Sequence, residues 1–528
     1  MRRLFLAIGL LLALALPAAA GSPQKELLLN GGCPSWSILC APVDLWFAQG
    51  LYRPSSALSN ITTTRASVGY QQDASGNWYS FASGVPRITN LGIGVWESRT
   101  NGIRDSTMQG AVTGSPGTLP NNWGVSPLPT GLTRTIAIGT TNGVQWITLN
   151  YSGTTTSSSA IQVNFEGTSI IAASYGQTWV HSAIIQVTQD DPSLSGLNLG
   201  FSEENSGGSQ VAFGTGSSFY STRLSFTRYA ANRTLTNSAT AYVRPYLSTN
   251  VIASSTTINL TILFAVSQLE NNSNINSTVA SATVATGGTC TPGTYTFTVS
   301  GGTGTAATIS GTVSGTTLSG TLTVVTAGSY SVFPPSPAST SGGTCTVQPT
   351  LTLAPTNLAA DAFASPPCPT TSAAATCLAD ANAMPVSGGT CSTSACSVLA
   401  TWTPSAPTGY PVTQVAAEID DGTTANNLLV QRVASNGDPQ VSTTISSTAT
   451  TATPSGTWAQ SAAQKLVALA VSGLLSGRYA GGTVATASPT GIASGLNTLR
   501  IGTNEAGTGQ CDCVISRLVV APQSLLAN

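Results

Sequence analysis

Apolar and polar side chains alternate along most of this chain. Ile258, Leu260, Ile262, Phe264 and Val266 take every second position between Asn259, Thr261, Leu263 and Ala265, the period of a strand with one firmly apolar face. Tyr295 to Val299, Leu499 to Ile501 and Val514 to Val520 read the same way. Such runs recur at short intervals between clusters of Gly, Ser, Asn and Pro, and beyond residue 20 only Trp458 to Val471 carries a weak helical pattern. The pattern predicts an all-β fold of tandem antiparallel β-sandwiches.

Shifts in composition divide the 528 residues, a length that allows roughly three ordinary domains. Residues 21–100 hold few sustained strands and read as an extended lead-in or attachment segment. Strand signals are denser over 101–280. Residues 281–355 are almost free of charge and rich in Gly and Thr, as expected of a small β module. The Ala, Pro and Thr-rich stretch 356–385 reads as a linker, and a last sandwich occupies 386–528.

The N-terminus suggests a compartment. Arg2 and Arg3 precede an apolar run from Leu4 to Leu16, followed by Pro17, Ala18 to Ala20 and Gly21, which matches a signal peptide over 1–20 with cleavage after Ala20. The run is short for a bilayer span, so an uncleaved anchor is the lesser alternative. Ten cysteines fit an exported, oxidised protein: Cys33, Cys40, Cys290, Cys345, Cys368, Cys377, Cys391, Cys396, Cys511 and Cys513. Zinc is disfavoured, because neither Cys511-x-Cys513 nor Cys391-x4-Cys396 has a second Cys-x2-Cys or a nearby His to complete a site. Connectivity is not readable in general. Cys290 and Cys345 each end a Gly-Gly-Thr-Cys tetrapeptide and flank one segment, so they are expected to pair.

Charge changes the picture most. The chain has 18 Lys and Arg, 19 Asp and Glu and one histidine, 7% charged in all, where an average globular protein is about a quarter charged. A net charge of −1 offers no attraction for nucleic acid. Acid-base catalysis, metal chelation and phosphate binding all draw on the scarce residues, so binding and architecture lead.

Several stretches carry a resemblance. Asp44-Leu-Trp-Phe-Ala-Gln-Gly-Leu-Tyr52, Thr64-Arg-Ala-Ser67, Val85-Pro-Arg87 and Leu91-Gly-Ile-Gly-Val-Trp-Glu-Ser-Arg-Thr-Asn101 resemble the lead-in of head-spike and tail-fibre proteins of tailed phages and prophages. Gly117 to Trp123, Gly176-Gln-Thr-Trp179 and Gln268-Leu-Glu270 resemble the carbohydrate-binding-like jelly roll that follows it, and Gly302-Thr-Gly-Thr305 with Ala327-Gly-Ser-Tyr330 is similar to a Gly-rich fibre repeat. Asp421-Gly422, Leu499-Arg-Ile-Gly502 and Ile515-Ser-Arg-Leu518 with Pro522 resemble a concanavalin A-like (LamG-like) lectin sandwich. The resemblance implies a jelly roll over 101–280 and a lectin sandwich over 386–528. It implies a spike or fibre displayed on a virion, with other virion or surface proteins as partners and a homotrimer as a possible assembly. A secreted bacterial lectin of prophage origin is the alternative, since phage structural proteins usually carry no export signal.

Catalytic candidates are few. Glu418-Ile-Asp420-Asp-Gly-Thr423 resembles the Glu-x-Asp-x-x-Glu strand of concanavalin A-like β-glucanases, but glycoside hydrolysis needs two carboxylates across the bond and Thr423 stands where the last one belongs. Asp420 and Asp421 read instead as the entry to a turn. His181 sits in a strand-like stretch with no nucleophile motif around it. The pairs Asp190/Asp191 and Glu203/Glu204 offer oxygen ligands of the kind Ca2+ takes but lack the spacing of a calcium loop. Glu97 and Arg99 share one face of an extended segment and should form a local ion pair. No catalytic residue, metal site or cofactor is expected.

Sugar binding needs aromatic platforms and amides rather than charge. Trp123, Trp146, Tyr175 and Trp179 in the expected jelly roll, and Trp402, Tyr410 and Trp458 in the last module, are the candidates, with core burial as the competing expectation for each. The sequence thus points to a secreted or virion-displayed, non-catalytic protein that recognises a cell-surface glycan or polysaccharide.

Overall fold

The computed structural model describes residues 41–526 apart from 192, 195, 220–225, 272–277, 336, 356–363, 388, 408, 409, 411, 435, 436 and 457. The expected signal segment and the Cys33 and Cys40 pair lie outside the described residues. The fold is all-β and its sheets are antiparallel. Among the described residues the helices are a 3-10 turn, Phe47–Gln49, and a single turn, Ala57–Asn60. The weak helical pattern after Trp458 is a strand, Gln464–Val471. Its apolar run is continuous because both faces are covered: Leu466, Ala468 and Ala470 enter the main core, while Val467 packs with Leu399 and Val519 behind it.

One sandwich is built from residues 103–271. A five-stranded sheet in the order Leu132–Thr141, Val144–Thr154, Thr257–Asn271, Thr178–Gln189, Thr227–Thr234 faces a sheet that contains Leu197–Glu204 and Tyr242–Thr249. The predicted alternation holds at Ile258, Leu260, Ile262 and Phe264, each no more than 1% exposed and all in the core between the sheets. It fails at Val266. The register against Thr178–Gln189 shifts between Ser182 and Ile184, and Val266 takes φ 42, so the strand bulges and its facing reverses. Leu269 then enters the core, while Gln268 and Glu270 leave it.

The small module, residues 279–355, has its own core around Phe297, Ile309, Val313, Tyr330 and Leu351. Cys290 and Cys345 are bonded, as expected, and join the short strands Thr289–Cys290 and Cys345–Val347.

The last sandwich differs most from expectation. Its first sheet has Cys513–Ala521 at the centre, flanked by Ala395–Pro404 on one side and Val43–Trp46 on the other, with Leu51–Arg53 beyond and Gly92–Val95 pairing at Cys513 to Ile515. Its second sheet runs Thr62–Thr64, Ala381–Pro385, Thr498–Ile501, Gln414–Asp420, Asn427–Arg432, Pro439–Ile445, Thr448–Ala452. Within residues 43–95, Val43–Trp46, Leu51–Arg53, Thr62–Thr64, Arg87–Thr89 and Gly92–Val95 are thus strands of the last sandwich, while Gly69–Gln72 and Trp78–Phe81 form a separate hairpin that packs on the inserted one. Within the expected linker, Ala375–Cys377 pairs with Arg99–Asn101 and Ala381–Pro385 is a sheet strand. One sandwich is therefore made from the two ends of the described chain, and the other two units are inserted between them. Short strands such as Thr62–Thr64 have too few residues to show a period, and their partners lie more than 300 residues away.

Three further disulfides, Cys368–Cys377, Cys391–Cys396 and Cys511–Cys513, close short loops in this unit. No cysteine among the described residues is free, which fits an oxidising, extracellular setting.

Candidate functional site at the sandwich joint

The bulge at Val266 prepares the joint between the two larger sandwiches. By reversing the facing of the strand it presents Gln268 and Glu270 to the segment that returns from the small module. Ser365 gives its N–H and hydroxyl to the two Glu270 oxygens at 2.9 and 2.8 Å, and the Cys368 N–H donates to Gln268 Oε1 at 2.7 Å. Asn101 fastens a third strand, donating to the carbonyls of Ser267 and Cys368 and accepting from the Leu269 N–H.

Arg99 is the hub. Its guanidinium contacts Glu97, donates to the Tyr410 hydroxyl at 2.8 Å and lies 3.8 Å from Glu270. Tyr410 donates to Glu97, and the Glu97 N–H donates to Asp512 Oδ1 at 2.9 Å. The expected Glu97–Arg99 pair forms, as part of a network that spans both sandwiches. Burial opposes the charge on Arg99, but Tyr410, Glu97, Glu270 and Asp512 outweigh it and hold its pKa up. Burial, with the nearby Glu97 charge, pushes Asp512 well above the usual carboxylate range.

Beside this network opens a cleft of about 740 Å3. One wall carries Trp179, Ile171 and Asn271 from the inserted sandwich, and the other carries Gly507 to Gln510, from the loop before Cys513–Ala521. Ser98, Thr100 and Thr508 are exposed along it, so hydroxyls and amides line the opening while its charged groups are engaged with one another.

The aromatic candidates separate clearly. Trp402 and Trp458 are fully buried with ring centroids 4.6 Å apart in the core of the last sandwich. Trp123 packs edge-on to Phe165 at 4.7 Å and is 7% exposed. These three are core residues, because the strands and loops that carry them place large rings between sheets, where their burial is worth most. Tyr175 is half-buried against the small module, its hydroxyl donating to the Leu353 carbonyl at 2.5 Å and its ring edge-on to Phe333. Trp146 is half-buried over Gly139, with its indole N–H on Thr141. Trp179, 6% exposed, belongs to the core of the inserted sandwich and also lines the cleft, and Tyr410 is buried near it, where its hydroxyl fixes Glu97 and Arg99.

The acidic candidates are all engaged. Asp420 is bound by Arg500 at 2.7 Å and by the Gly422 N–H, as a turn entry should be, and Thr423 caps Asp421. Glu418 accepts from Asn427 and from the Glu505 N–H, and burial pushes it up to about 7. Glu203 and Glu204 are matched to Arg233 and Arg244, and Asp191 accepts from Ser193 and the Asn259 N–H. His181 is fully buried, its Nδ1 2.8 Å from the Gly200 carbonyl, and burial lowers it to about 3. Among the described residues no group of three or more His, Cys, Asp or Glu is arranged to hold a metal ion.

No protein-family model and no curated protein matches the chain. Among solved structures, it is similar to the N-terminal tandem of CBM22 domains from Paenibacillus barcinonensis Xyn10C, with 8% identity, a TM-score of 0.22, and coverage of 80% of this chain and 94% of that one. A likeness that weak assigns no ligand.

Sequence reasoning missed the joint. Glu97, Arg99 and Gln268 to Glu270 stand in the stretches singled out above, but only pairing across the fold brings them together with Ser365 and Asp512.

Proposed function

We propose that the protein is a non-catalytic, exported binding protein that holds a cell-surface glycan or polysaccharide in the cleft between its two larger sandwiches. The observation that carries this reading is the lining of the cleft: Trp179 with hydroxyl and amide side chains, beside charged groups committed to the Arg99 network. A neutral, hydroxyl-rich ligand suits such a surface, and an open cleft admits a chain rather than a single small molecule. The engagement of Asp420 with Arg500 supports a structural rather than catalytic role for the Glu418-x-Asp420 strand.

The stretches that resemble phage head-spike and tail-fibre proteins support a virion or prophage origin, and the disulfides support life outside the reducing cytoplasm. Capsid, portal or tail genes beside the coding sequence favour the virion component over a secreted bacterial lectin. Light scattering on the purified protein tests the trimer. Screening the mature protein on glycan arrays and on host envelope polysaccharide tests the binding function, and steady degradation of a polysaccharide overturns the non-catalytic reading.

A further inference from the structure

The hairpin of strands Gly69–Gln72 and Trp78–Phe81 leaves the last sandwich between Thr62–Thr64 and Arg87–Thr89, and it touches both large sandwiches. Its register pairs Tyr70 with Ser80 and Gln72 with Trp78, so Tyr70 and Trp78 share one face and Gly69 and Gln71 the other. On the first face Tyr70 and Trp78 are buried with Val144, Ile184, Ala265 and Val266 of the inserted sandwich, and the Ser80 N–H donates to the Asn142 carbonyl at 3.0 Å. The second face lies on the last sandwich. A Cβ at Gly69 would come within 2.7 Å of Arg87 Cδ, and one at Gly94 within 2.3 Å of Gln71 Oε1. Arg87 and Thr89 donate to the Tyr70 and Gln72 carbonyls at 3.3 and 3.0 Å. Asp73 holds the turn in shape by accepting from the Ser75 and Asn77 N–H groups.

Both segments that the hairpin joins run on into the cleft. Ala265 and Val266, fully buried beneath it, lead through the bulge to Leu269 and Asn271, which line the cleft. Gly94, against Gln71, leads to Glu97, Ser98, Arg99 and Thr100, which line it too. Cross-bonds then tie the two runs together: the Leu269 N–H donates to Asn101 Oδ1 at 3.0 Å, and the Gly102 N–H donates to the Leu269 carbonyl at 2.8 Å. Close-packed contacts transmit displacement, so the place where the hairpin seats these segments fixes where the cleft lining begins.

We propose that the hairpin is a clasp that sets the spacing of the cleft walls, with Tyr70 and Trp78 as positioning residues for polysaccharide retention. This rests on the reading of the cleft as the binding site. Without the clasp the walls keep their residues and lose their spacing, and apparent affinity falls with the fraction of molecules whose spacing is competent.

Hydrogen exchange by mass spectrometry on the full chain, with retention in polysaccharide gels measured on the same variants, tests the proposal. In W78A the amides of Glu97, Gly102 and Leu269, all bonded at the joint, should exchange at least about tenfold faster, while those of Asn427–Arg432, inside the last sandwich, keep the wild-type rate. Polysaccharide affinity should fall about tenfold, as expected when the competent spacing is held a tenth of the time. W78F, which keeps an aromatic ring in the contact, should restore both. Because W78A removes a large buried side chain, Ser80→Pro is the second variant: it deletes the bond to Asn142 at an N–H that faces away from the hairpin ladder, and it should give the same pattern. Unchanged exchange at the joint in both variants, equal acceleration in Asn427–Arg432, or faster exchange with undiminished retention would overturn the clasp. If the wild-type protein is not retained at all, the cleft reading fails, and exchange at the joint alone decides whether the hairpin holds the walls.

Discussion

Arg65 donates to Asp380 across 2.6 Å although 315 residues separate them in sequence. Both side chains are 1% exposed, and Arg87 reaches the other oxygen of the same carboxylate. This contact joins the two ends of the described chain into one sandwich, and it shows where the scarce charge goes: into buried links between distant segments. Asp380→Asn leaves two buried guanidinium groups short of a counter-ion and should cost about 3–5 kcal/mol. The half-buried Arg517–Asp44 pair is the control, and R517A should cost under about 1 kcal/mol. Denaturant titration of the two variants checks the contrast; equal losses would contradict it.

The Cys290–Cys345 bond closes a loop across 55 positions in a module with a small core. Replacing both cysteines by serine should lower that module's stability by about 2–4 kcal/mol. Limited proteolysis should then cut within residues 279–355 first, leaving the two larger sandwiches intact.

Glu418 titrates at about 7 in the fold against 4.5 for the free side chain, because burial disfavours its charge. A raised acid binds its proton more tightly folded than unfolded, so the linked stability is full below about 4.5 and is lost as pH rises through 7. Between pH 5 and 8 the loss should be on the order of 2–3 kcal/mol. E418Q should flatten this slope without abolishing it, since Asp512 is raised in the same direction. Urea melts at the two pH values measure the difference.

His181 is the one histidine in the chain, so its imidazole proton signals are unambiguous. Held neutral by burial with a pKa of about 3, it should show no titration between pH 5 and 8 by NMR. A shift centred near 6.5 would place the ring at the surface.

These features were legible in the sequence to different depths. Alternation at Ile258 to Phe264 is a local signal, and it gave the fold class and one core face directly. The repeated Gly-Gly-Thr-Cys tetrapeptide was likewise a local signal, and it marked Cys290 and Cys345 as partners, while the connectivity of the other cysteines was not readable. The bulge at Val266 was hidden, because an alternating apolar pattern does not record a reversal of facing that depends on the neighbouring strand. The return of Val43–Trp46 and Gly92–Val95 to the last sandwich was hidden for a related reason: pairing such as Val43 with Val520 leaves no periodic trace at either end. Aromatic residues posed the converse problem. Trp402 and Trp146 look alike in sequence, and only the sheets packed around them leave one fully buried and the other half-exposed.

The central claim is that the cleft holds polysaccharide without cutting it. Affinity electrophoresis through gels containing host envelope polysaccharide, with reducing ends assayed on the same samples, tests it most directly. Wild-type protein should be retarded, Thr508→Arg at the exposed cleft loop should migrate freely with an unchanged melting temperature, and reducing ends should stay at background. Retardation that survives T508R, or a steady rise in reducing ends, would contradict the account.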